Sequence, residues 1–129
     1  MIQVLIVFLG GGVGSVVRHG FNLGIGRLWP NDFPLATFII NILGSFLMGV
    51  VVAWFAFRWG GGGGWSQHTR LLLTTGFLGG FTTFSTFSLD AATLIERDAY
   101  LTAAGYVVGS VGLGLVGLFL GLWLVRATA

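Results

Sequence analysis

The chain has 129 residues, 55% of them hydrophobic and 8% charged, with 23 glycines, six arginines, no lysine and four acids. Soluble domains carry about 25% charged residues, so an ordinary water-soluble fold is excluded, and the small positive excess is no reason to expect nucleic acid as a partner. The absence of cysteine excludes disulfides and thiolate metal sites.

At about 20 residues per crossing, four crossings with short loops use nearly the whole chain, which predicts a single four-helix transmembrane domain over residues 1–129. The first apolar run goes from Ile2 to Phe21 and ends near Arg18, His19 and the loop "GRLWPNDFP". It lacks the basic n-region and small-residue cleavage site of a signal peptide, so it is expected to remain as the first span. The second run covers Leu35 to Phe57, with Pro34 acceptable in a first helical turn. In the following stretch, "RWGGGGGWSQHTR", the consecutive glycines predict a flexible surface connection. The third run spans Leu71 to Ile95, "ERD" at Glu96 to Asp98 marks a loop, and the fourth run goes from Tyr100 to Val125. Trp29, Trp54, Trp59, Trp65 and Trp123 all fall near span ends, as interfacial tryptophans do.

Four spans put both termini and the second loop on one side, with Arg58, Arg70 and Arg126; Arg27, Arg97 and a snorkelling Arg18 belong to the other. The positive-inside rule counts such charges, and here they nearly balance. Insertion in both directions, and an antiparallel homodimer built from the two orientations, is one consequence; chance balance is the other reading. Gly10 and Gly14, Gly105 and Gly109, and Gly117 and Gly121 are each four apart, the spacing that lets membrane helices approach closely.

The third run contains "TTGFLGGFTTFSTFSLD". Gly76, Gly79 and Gly80 weaken a helix near its middle, and Gly79 through Thr83 are the candidates for unwound backbone. Non-helical backbone at membrane depth needs protein or a water-filled cavity to supply partners. Its freed carbonyls can hold a cation, while the N-terminus of the next half-helix favours an anion. The alternative is a continuous helix whose glycines serve close packing. Phe81, Phe84 and Phe87 recur every third residue, with Thr83, Ser85, Thr86 and Ser88 between them. Ring edges are positive, so edges and hydroxyls can contact an anion without the full charge that would trap it. Packed rings and hydroxyls bonded to the preceding turn give the same pattern.

Asn41, at the depth of the second span, must find partners, either as a donor in a pore or as interhelical glue. Thr37 lies one turn earlier on the same face. Tyr106 and Ser110, four apart in the fourth span, form a second row of hydroxyls or bond a neighbouring helix. Arg18 either draws anions into a vestibule or snorkels. Asp90 is expected as a solvated acid at a pore mouth, and His19 and His68 have no metal-site spacing.

These features resemble the Fluc fluoride channels, also called the CrcB family. The resemblance rests on "GFLGGFTTFSTFS" from Gly76 to Ser88, on "NILGSFLMG" from Asn41 and on "GGGVGSVVRH" around Arg18, and it extends over essentially the whole chain. It implies a dual-topology antiparallel homodimer in the bacterial inner membrane that passively exports fluoride through two pores lined by both subunits. Phe84 and Phe87 would form a ring-edge "Phe box", Asn41 would be a pore donor, and Thr37, Tyr106 and Ser110 would line a polar track beside Thr83 and Ser85. Arg18 would sit near a vestibule. A structural Na+ at the dimer centre would be held by the carbonyls of Gly79 and Thr82. One departure is visible: a second hydroxyl often follows Ser110 by one turn, but position 114 is glycine.

Two other classes compete. A small proton-coupled multidrug-type exporter needs a titratable carboxylate in the membrane, and the first span, "IQVLIVFLGGGVGSVV", has none. A non-transporting assembly subunit of a larger membrane complex is the other. An enzyme is not expected, because the sequence presents no nucleophile–base pair or metal-ligand cluster.

Overall fold

The computed structural model describes residues 1–59 and 63–129, and the described residues form an all-helical chain. Helix α1 (Ile2–Leu28) runs a full turn and more beyond the expected end at Phe21. Its late glycines are tolerated inside the helix, and it stops only where Pro30 pushes the preceding Trp29 out of helical geometry. Helix α2 (Leu35–Phe57) has the bounds the sequence predicts. Helix α6 (Tyr100–Thr128) is the fourth crossing. These three helices are long and apolar enough to cross a membrane.

The third crossing comes in pieces. It begins at α3 (Gly64–Leu71), so Gly64 to Arg70 are helical and not loop as expected; Gly60 to Gly62, part of the expected flexible connection, lie outside the described residues. A π-helical stretch, Leu72–Leu78, leads into the single turn α4 (Gly79–Phe81). Thr82 and Thr83 are extended, with ψ of 157° and 116°, and α5 (Phe84–Glu96) completes the crossing. Asp98 then takes a positive φ of 59°, a conformation that aspartate tolerates, to turn the chain into α6.

Contacts at the two ends fix the up-and-down order. Arg97, after α5, pairs with Asp32, before α2, at 3.4 Å. Arg58, after α2, donates to the Thr128 carbonyl at the end of α6. Gln3 shares a surface hollow with Gln67 and Arg70 of α3, so the N-terminus belongs to the Arg58 end.

Small residues decide which helices touch. A Cβ on Gly49 would lie 2.1 Å from the Leu118 carbonyl oxygen and one on Gly121 would lie 2.3 Å from that of Phe46, so α2 and α6 pack backbone to backbone. On the other side, a Cβ on Gly14 would lie 2.1 Å from the Phe77 oxygen, and one on Gly80 would lie 2.3 Å from that of Gly11. Gly10, Gly14, Gly117 and Gly121 thus serve the close packing their spacing predicts. Gly105 does not, since a Cβ there would meet nothing within 4 Å, and Gly109 faces only the Phe38 ring. Between the two helix pairs sits a core of Ile40, Leu78 and Phe81, all 2% exposed or less. Large apolar side chains such as Phe8, Val16, Leu101, Val108 and Phe119 point outward, as lipid-facing ones do.

Candidate functional site

The break falls two residues after the glycine pair, and hydrogen bonding explains why. Thr83 is the N-cap of α5: its Oγ1 accepts from the Thr86 N–H at 3.2 Å. Its own N–H donates not to Gly79, as a continuous helix would require, but to Asn41 Oδ1 at 2.9 Å. Asn41 Nδ2 returns a bond to the Thr83 carbonyl at 3.1 Å. One carboxamide on α2 therefore pairs with both backbone polar groups of Thr83, the residue that leaves the ladder. Gly44, one turn on, lets α2 come this close, because a Cβ there would lie 2.2 Å from Thr82 Cγ2.

The sequence placed the unwound backbone at Gly79 through Thr83; it is confined to Thr82 and Thr83, and Gly79 and Gly80 remain in a helical turn. Gly76 and Gly80 serve close packing against α1, and the hydroxyl cap sets the break. Carbonyls are nevertheless freed around it. Gly79 loses the Thr83 N–H to Asn41, and Thr82 loses the Thr86 N–H to the Thr83 hydroxyl. Gly80 takes a bond from Ser15 Oγ at 3.4 Å and Thr82 takes one from Arg18 Nη1 at 3.4 Å. Arg18 thus reaches inward to the break instead of snorkelling outward.

Beside the break lies a groove of about 300 Å³, open to the outside of the bundle. Asn41, Thr83, Phe84, Phe87 and Ser110, five of the residues the sequence singles out, all line it. The Phe84 and Phe87 rings are 5.6 Å apart and tilted by 40°, and Phe84 is 79% exposed. Phe81 does not continue their stripe: the break turns it into the core, stacked on Phe77. Ser85 lies 3.4 Å from the Thr83 hydroxyl and is exposed.

The remaining two candidates sit deeper. Tyr106 is fully buried, in aromatic contact with Phe87 at 5.2 Å and with Phe33 at 5.6 Å. Its hydroxyl donates to Asp90 Oδ2 at 3.1 Å, so Asp90 is a half-buried partner of the fourth crossing and not the solvated acid expected. Thr37 is buried on α2. Ser110 is 8% exposed, and its hydroxyl has no hydrogen-bond partner among the described residues. A buried hydroxyl left open on a groove marks a place where a ligand or water belongs.

Taken alone, fold and groove define a class: a multi-pass helical membrane protein in which an interrupted helix, aromatic rings and an unsatisfied buried hydroxyl meet in one groove. The chain belongs to the CrcB family, whose model, described as CrcB-like protein, Camphor Resistance (CrcB), matches residues 5–122. A relative from Rhodopseudomonas palustris (strain BisB5), named fluoride-specific ion channel FluC, is 56% identical over 95% of this chain and 96% of its own. Proteins of the same name from Methylobacterium nodulans and from Caulobacter sp. (strain K31) are 52% and 44% identical over 98% of this chain. They cover 98% and 96% of their own lengths.

Proposed function

We propose that this protein is a fluoride-specific ion channel of the bacterial inner membrane, through which fluoride leaves the cytoplasm passively. The observation that carries the reading is the groove, in which Asn41, Thr83, Phe84, Phe87 and Ser110 converge around an unpartnered buried hydroxyl. Relatives named as fluoride channels support it over almost the full length of the chain. The chemistry suits a small, strongly hydrated anion. Neutral hydroxyl donors and ring edges replace part of its water shell, and among the described residues no full positive charge lines the groove to hold it. Arg18, at the break, supplies a positive approach; Thr37, Tyr106 and Ser85 extend the polar lining.

The working form in this reading is an antiparallel dual-topology homodimer with two pores. The near balance of arginines supports two insertion directions, and the open groove, lined by the exposed Phe84, calls for a second copy to close it. A structural Na+ fits the break. Gly79 and Thr82 present freed carbonyl oxygens, the neutral hard donors that such a cation takes, although Arg18 shares the Thr82 oxygen. Two oxygens are too few, and a symmetry-related copy would make four. The cation's contribution would be charge to pin the two breaks together.

The test is efflux from liposomes loaded with fluoride, read by a fluoride electrode, with chloride-loaded liposomes in parallel. Rapid fluoride efflux without a proton gradient and negligible chloride efflux is expected. No fluoride efflux from folded dimer in Na+ would instead favour a coupled exporter.

A further inference from the structure

Thr69, Thr74, Thr82, Ser88, Thr93 and Thr128 each donate their hydroxyl to the carbonyl four residues back, the usual fate of a hydroxyl in a helix. Among the described residues, Ser45 of α2 and Ser110 of α6 make no such bond; both line the groove, and the buried Ser110 hydroxyl has no partner at all. Ser15, Thr37, Ser66, Thr75, Ser85, Thr86 and Thr102 also make none among the described residues, but they lie outside it, and Thr83, which does line it, donates to Thr86 Oγ1. The groove therefore holds two span hydroxyls whose protons are uncommitted.

Their positions are related. Thr37, Asn41 and Ser45 follow at four-residue intervals along one face of α2, and Tyr106, Ser110 and Gly114 do so along α6. Both helices are even-numbered crossings and run in the same direction, so the rows lie side by side. At the third level α6 has no side chain. A Cβ on Gly114 would have Ser45 Oγ, at 3.6 Å, as its one neighbour within 4 Å. The hydroxyl from α2 thus stands over the place that a side chain at position 114 would use.

We propose that Ser45 is an anion-contacting residue, its hydroxyl continuing past Ser110 the row of donors that glycine at position 114 interrupts. The inference rests on the fluoride-channel reading and adds a residue to it. A small anion moving along the groove exchanges the Ser110 hydroxyl for that of Ser45, and each contact is a single hydrogen bond from a neutral donor. Such steps are weak enough to permit release. Asn41 cannot fill this role with its whole amide, because two of its bonds are spent on Thr83.

The variants are S45A, S45T and S45A combined with Gly114→Ser, each purified, checked for assembly and assayed for fluoride efflux beside wild type. Loss of one hydrogen bond to a passing anion corresponds to about a tenfold lower rate for S45A. S45T should retain the wild-type rate. The double variant, which returns a hydroxyl from the opposite helix, should recover to within about threefold of wild type. Full efflux in S45A, or a deficit in assembled S45A that Gly114→Ser does not repair, overturns the assignment. Absence of fluoride efflux from wild type itself would overturn the channel reading, and the Ser45 assignment with it.

Discussion

From Leu72 to Phe81 the third crossing lies against α1 so closely that a methyl group on Gly80 would overlap the Gly11 carbonyl. From Phe84 onward the same crossing exposes 79% of one ring and leans on its neighbours through Phe87 and the Tyr106–Asp90 bond. The first half is held by dispersion between backbones, which requires the absence of side chains. The second is held by polar pairs and rings, which requires particular ones. Close packing and the groove thereby fall to different halves of one span, with the extended pair Thr82–Thr83 as the joint.

The difference can be broken most severely in the first half. Gly80→Val places a Cβ 2.3 Å from the Gly11 oxygen, which is backbone and cannot step aside. Overpacking of this kind costs about 3 kcal/mol, and size-exclusion chromatography in detergent should show loss of the monodisperse protein. Gly24→Ala, which meets nothing within 4 Å, should leave the profile unchanged. At the joint, Asn41→Ala leaves the Thr83 N–H and carbonyl without their partner. Unpaired polar groups of this kind cost about 2 kcal/mol, so the melting temperature should fall clearly while the variant still assembles; an unchanged melting curve would show that the clamp contributes nothing. Also at the joint, Thr83→Val removes the cap of α5 together with the bond from the Thr83 hydroxyl to Thr86 Oγ1. The expected loss is about 1 kcal/mol, a smaller drop in the same melting experiment, and a fall as large as that of Asn41→Ala would place the cap and not the clamp at the centre of the break.

Much of this was legible in the residues. Apolar runs and punctuation placed four crossings and gave α2 its bounds, because Pro34 and Arg58 delimit a run with nothing polar enough to interrupt it except Asn41. The end of α1 was misplaced because arginine and histidine can lie within a helix that continues to the lipid boundary; only Pro30 stops it. The start of the third crossing was misplaced because "GWSQHTRL" is polar, yet it continues as helix above the apolar run. The break was located through its glycines, whose flexibility is evident in sequence, whereas its position depends on Thr83 capping α5 and Asn41 pairing across from another helix. Such a tertiary pair has no local signature. For Asn41 the two readings weighed from sequence merge: it is interhelical glue, and it lines the groove. Ser45 was passed over because a lone serine in an apolar helix ordinarily bonds its own backbone; its four-residue spacing from Asn41 was the signal available.

The central claim is that ions move along the exposed half, past the rings. It is tested most directly by fluoride efflux from liposomes carrying Phe84→Ile or Phe87→Ile, with assembly confirmed by chromatography. Isoleucine keeps an apolar side chain while removing the positive ring edge. The account predicts an assembled protein with fluoride efflux at least about tenfold below wild type in each variant. Wild-type efflux from both would contradict it and move the ion path away from the groove.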